Sequence, residues 1–106
     1  ANGGWLDGEQ VLSPALIAEA SRELIRGQDL VLPFVMSWGA GFMRNVTVHP
    51  WGPGDATFGH SGWGGSCAFA DPETRLAGAY VMNKQSTDLL GDQRARRLID
   101  AAYLGV

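Results

Sequence analysis

A histidine and a serine stand side by side, hemmed by glycines, in Phe58-Gly59-His60-Ser61-Gly62-Trp63-Gly64-Gly65-Ser66. Imidazole changes charge near neutral pH and a hydroxyl beside a base can become a nucleophile, so this stretch is where chemistry is sought first. A nucleophile elbow requires Gly-x-Ser-x-Gly on a strand-to-helix turn, but here the fifth position is Trp63 and another strand follows. A dinucleotide fingerprint requires a third glycine and a helix after Gly62-x-Gly64, and both are missing. His49, His60, Cys67 and the nearby aspartates have no metal-ligand spacing, and no metal or other cofactor is expected. On residue types alone the reading with most weight is structural: glycines that let two backbones pass closely, with His60 hydrogen-bonded inside a turn.

The elements that would carry this stretch read as follows. Ser13-Pro14 caps and starts a helix whose apolar residues Leu16, Ala20 and Leu24 recur every fourth position, with Ile17 and Ile25 beside them and Gly27 placed to end it. Leu30 to Val35 carries Pro33 and reads as an extended loop, followed by a short strand over Trp38 to Met43. His49 to Asp55, with two prolines and two glycines, is a loop. Residues 64–70 and 76–82 are apolar runs separated by Asp71-Pro72-Glu73-Thr74-Arg75, which predicts an antiparallel hairpin with both faces covered. Turn chemistry accounts for Asp71 and Glu73 better than an acid/base pair does. From about Leu89 to Leu104 the stripe Ala95, Leu98, Ile99, Ala102, Tyr103 is that of an amphipathic helix.

Composition narrows the function classes. Hydrophobic residues make up 45% and charged residues 18% of 106 positions, which predicts one folded core rather than disorder. The net charge of -3 gives no basic surface for phosphates, so no nucleic-acid partner is expected. Arg94, Arg96 and Arg97 are interleaved with Asp92 and Asp100 at helical spacing and read as a solvated helix face. Cys67, the sole cysteine, reads as a buried thiol. No run approaches the roughly 20 apolar residues of a membrane span. The turn-rich opening Ala1 to Gly8 reads as mid-domain, and cytoplasm and periplasm stay equally open as compartments.

Taken in order, Phe58-Gly59-His60-Ser61-Gly62, Gly64-Gly65-Ser66, Ala70-Asp71-Pro72-Glu73 and Tyr80-Val81-Met82-Asn83 resemble the C-terminal signature of the serine β-lactamase-like superfamily. That superfamily includes class C β-lactamases, D-alanyl-D-alanine peptidases and family VIII carboxylesterases, and the last are the nearest in their pieces. The resemblance implies hydrolysis of a small-molecule carboxylic ester through an acyl-enzyme, with His60-Ser61-Gly62 standing where the family has Lys-Thr-Gly on an edge strand. It implies that His60, Ser61, Gly62, Trp63 and Gly64 form a cleft wall, with the Trp63 N–H as one oxyanion donor. A β-lactamase or D-alanyl-D-alanine peptidase piece, or a non-catalytic truncated binding or structural module, are the alternatives.

The family nucleophile is the serine of Ser-x-x-Lys, and none occurs here: Ser13, Ser21, Ser37, Ser61, Ser66 and Ser86 are followed at the third position by Leu16, Leu24, Ala40, Gly64, Phe69 and Leu89. The serine, lysine and tyrosine of catalysis are therefore expected outside these residues, and this chain alone is expected to be inactive. The fold expectation is an α+β piece, residues 1–106 forming one C-terminal part of a larger domain. It has an antiparallel sheet of about three strands flanked by an N-terminal and a C-terminal helix. Its incomplete sheet predicts a companion N-terminal chain or self-association.

Overall fold

The computed structural model describes residues 1–106. Ser13 caps helix α1 (Pro14–Ser21) by accepting from the Leu16 N–H at 3.1 Å, and Pro14 sits in the first turn as the sequence predicts. The helix stops six residues before Gly27. Arg22 turns extended, the Leu24 N–H bonds the Trp38 carbonyl, and Ile25–Gln28 becomes a strand paired with Val35–Trp38. Sheet pairing thus overrides a helical period, and Gly27 lies in a strand rather than at a helix end.

Eight strands form: β1 (Trp5–Leu6) and β2 (Glu9–Gln10) make a small ribbon, and β3 (Ile25–Gln28), β4 (Val35–Trp38), β5 (Met43–Arg44), β6 (Phe58–Ser61), β7 (Cys67–Asp71) and β8 (Leu76–Tyr80) make one antiparallel sheet in chain order. The expected three-strand meander is β6 to β8, and three further strands extend it. The sequence places a strand over Trp38 to Met43, where the structure has a hairpin bend instead: Gly41 takes a φ of +81° and the Gly39 N–H reaches the Phe42 carbonyl at 2.8 Å. Asp29 closes the loop before β4 by accepting from the amides of Val31 and Leu32.

Helix α2 (Gln93–Tyr103) starts at the cap Asp92 rather than near Leu89, because Gly91 turns the chain with a φ of +74°. Its buried residues Ala95 and Ile99 close a core with Met36, Met43, Trp51 and Phe69. Trp51 stacks on Phe69 with ring centres 6.4 Å apart, and Phe69 stacks on Tyr103 at 6.5 Å. Trp51 is held there by Asn45, fully buried, whose amide N reaches the carbonyls of Trp51, Gly52 and Gly54 at 2.9–3.2 Å and whose Oδ1 accepts from the Trp51 N–H. One asparagine thus ties down the Pro/Gly loop that the sequence marks at 49–55.

The register puts Cys67, Phe69 and Asp71 on the face under α2 and Phe58, His60, Ala68, Ala70, Ala77 and Ala79 on the other. Both faces were expected to be covered, but α2 covers one and Ala68, Ala77 and Ala79 stand exposed on the second. Continuous small apolar residues mark the second face as one that can be covered, without supplying the cover from this chain.

Candidate active site

Strand β6 brings the sequence motif to the surface. Gly59 is needed for the approach of β7, since a Cβ there would stand 2.2 Å from the Ala68 carbonyl oxygen. His60 and Ser61 follow, paired with Ala68 and Cys67 on one side. On the other side β5 pairs only with Phe58 and Gly59. The resemblance implies an edge strand, whereas β6 lies inside the sheet order; its second half, at His60 and Ser61, is nonetheless open because β5 is only two residues long.

After Ser61 the chain makes a tight turn. The Gly62 N–H donates to the Ser66 carbonyl at 2.7 Å, and the Gly65 N–H donates back to the Gly62 carbonyl at 3.2 Å. Gly64 and Gly65 have φ of +98° and +120°, conformations that L side chains rarely adopt. The backbone N–H of Trp63, at the tip, meets no acceptor within the chain. Its indole is 74% exposed, so Trp63 is no core aromatic.

His60 is exposed. Its Nδ1 lies 2.9 Å from the Ser61 carbonyl oxygen, and its ring sits 5.7 Å from that of Trp38. A carbonyl can only accept, so Nδ1 is the donor in this contact. His60, Ser61, Gly62, Trp63 and Gly64 are therefore together on one strand end and its turn. The void behind them, lined by Trp51, Ser61, Gly62, Ser66 and Cys67 among others, is about 10 Å³, so an acyl group finds room only on the outer side.

His49 lies elsewhere, 3.1 Å from Asp55. Cys67 is half-buried, and burial pushes its thiol pKa up, away from reactivity. Asp71 is a turn former, as expected: its Oδ1 accepts from the amides of Glu73 and Thr74. Its Oδ2 also accepts from the Tyr103 hydroxyl at 2.8 Å, which ties α2 to the hairpin.

The sequence reading missed what lies behind the turn. Asp92 belongs to no solvated face, since its side chain is 1% exposed. It accepts from the Arg94 and Ala95 amides and from the Arg94 guanidinium at 2.7 and 3.0 Å. The Arg94 hydrogen bond, first among these, holds its carboxyl far below the ordinary range despite burial. The Gly91-Asp92 pair before a helical stripe was the signal that could have revealed it. Arg96, Arg97 and Asp100 remain exposed, as a solvated face requires.

Residues 3–103 match the β-lactamase family. The chain is 34% identical over 93 residues to Esterase/beta-lactamase LipL of Mycobacterium tuberculosis (strain ATCC 25618 / H37Rv), covering 85% of this chain and 20% of that protein. Two crystal structures superpose closely. A penicillin-binding protein homologue from Caulobacter crescentus has 59% identity and a TM-score of 0.95, and a family VIII carboxylesterase has 44% identity and a TM-score of 0.92. This chain is covered to 98% in both and spans 28% of each of those chains.

Proposed function

The chain belongs to the β-lactamase family of serine hydrolases, and on that premise we propose that it forms one wall of an ester-hydrolysing cleft whose nucleophile lies outside residues 1–106. The single observation that carries the reading is the unpartnered Trp63 N–H, held at a glycine turn beside exposed His60 where the sheet is open. A carbonyl laid against this turn places its oxygen at that N–H. As the attacking serine adds, negative charge develops on the oxygen, and one such donor stabilises it by about 3 kcal/mol. Exposed His60 offers a polar ring beside that site, and Gly62 and Gly64 let the turn close, since a Cβ there would stand 2.5 Å from Ser66 Oγ and 3.0 Å from the Gln85 side chain.

Substrate choice follows from His60. A lysine carries a permanent positive charge suited to a carboxylate, which an imidazole carries only when protonated. Uncharged short-chain esters are therefore the preferred substrates over carboxylate-bearing β-lactams. The complete protein containing this segment should turn over a short nitrophenyl ester with a higher kcat/KM than a cephalosporin. Markedly faster cephalosporin turnover refutes the preference.

The rest of the fold has a seat on this piece. β8 ends the sheet order with a free edge, and beside it an apolar groove of about 160 Å³ is lined by Leu76, Tyr80, Leu98, Ile99 and Ala102 among others. The matched structures extend well beyond the 28% that this chain spans, and a strand from that remaining length, added to β8 with an apolar side chain in the groove, completes the sheet.

A further inference from the structure

The geometry points to Asp92 and Arg94 as positioning residues that aim the Trp63 N–H by clamping the Gly62–Ser66 turn from behind, an inference that rests on the oxyanion reading of that N–H. The chain of contacts is short. The Gly62 carbonyl and the Trp63 N–H belong to one trans peptide unit, so they point in opposite directions within one plane. The Gly65 N–H donates to that carbonyl at 3.2 Å, so wherever Gly65 sits decides where the Trp63 N–H points.

Gly65 in turn rests on the Asp92 carboxylate. A Cβ at Gly65 would stand 2.4 Å from Asp92 Oδ2 and 2.9 Å from its Cγ, so the buried carboxylate fills the space a side chain would take. Arg94 fixes the carboxylate in place through Nε to Oδ1 and Nη2 to Oδ2, a two-point fork. Its Nη1 reaches the Lys84 carbonyl at 2.9 Å, and the Ser86 N–H two residues on bonds the Gly64 carbonyl at 2.9 Å. The turn is thus held at Gly64 and at Gly65 by one frame built on the start of α2, and only the tip bearing Trp63 is left without a partner.

Two substitutions in the complete protein separate aiming from folding. Asp92→Asn keeps an equally good helix cap and the same shape but removes the charge that Arg94 grips. Arg94→Lys keeps the charge but loses the fork. Both should lower kcat for a nitrophenyl ester at least fivefold with KM within twofold of wild type, and both should speed amide exchange at Gly65. Trp63→Pro, which deletes the N–H itself, is the reference. If Trp63→Pro lowers kcat while both clamp variants keep wild-type kcat, the clamp is wrong and the oxyanion reading stands. If the folded Trp63→Pro protein keeps wild-type kcat, the oxyanion reading itself fails. Clamp variants that only lower the melting temperature, with unchanged kcat and unchanged exchange at Gly65, also overturn the assignment.

Discussion

Tyr103→Phe isolates a single contact between helix and hairpin. The Tyr103 ring stacks on Phe69 and packs so closely on Gly52 that a Cβ there would stand 2.2 Å from the ring, and phenylalanine preserves both contacts. What is lost is the hydroxyl that donates to Asp71 Oδ2 at 2.8 Å. Asp71 is 1% exposed, and its Oδ1 keeps the Glu73 and Thr74 amides while Oδ2 loses its donor. A hydrogen bond to a buried charged group contributes about 1.5–3 kcal/mol, and at a urea m-value of about 2 kcal/mol/M the midpoint should fall by roughly 1 M at pH 7.

The same contact predicts a pH dependence. Burial pushes the Asp71 pKa up, but hydrogen bonds from Tyr103 and from the Thr74 and Glu73 amides outweigh it, and the net shift is downward. A depressed folded pKa means stability that is present above the unfolded value of about 3.9 and is lost as pH falls through the lower folded value. Removing the hydroxyl raises the folded value, so the gap between wild type and variant is full above about pH 5 and narrows below about pH 4. Urea titrations at pH 7 and pH 3 test both statements. A midpoint shift below about 0.25 M at pH 7, or a gap that stays constant with pH, refutes the reasoning.

Asn45→Asp replaces the amide that reaches three carbonyls with an acceptor facing them; it should destabilise by at least about 3 kcal/mol at pH 7 and recover partly in acid, and an unchanged urea midpoint contradicts this. Gly59→Ala forces a Cβ into the Ala68 carbonyl and should cost about 1–3 kcal/mol while lowering ester turnover by moving β6; wild-type stability and turnover together would show that the strands separate freely.

The motif itself was legible because its glycines have local reasons. Gly59, Gly64 and Gly65 each occupy a place that a side chain could not enter without something moving, and such places show in sequence as glycine clusters ahead of a strand. The C-terminal helix was legible from its stripe, and its start was not, because apolar Leu89 and Leu90 stand just ahead of the Gly91-Asp92 cap and lie outside the helix. The N-terminal half was harder. Leu24 and Ile25 fit a helical period, yet they lead into a strand because β4 offers backbone partners from Trp38 back to Val35, and no local pattern records that Trp38 is their partner. Asp92 was hidden for a related reason: its charge sits among arginines at solvent-like spacing, and although Gly91-Asp92 marks a helix cap, the packing of its carboxylate against Gly65 comes from a residue far off in the chain.

The most direct measurement is to label the complete, active protein with a fluorophosphonate, which bonds covalently to an acylating serine, and to locate the adduct by mass spectrometry. One adduct is expected, on a serine outside residues 1–106. An adduct on Ser61 or Ser66 would mean that this segment supplies the attacking atom and not merely the wall against which it works.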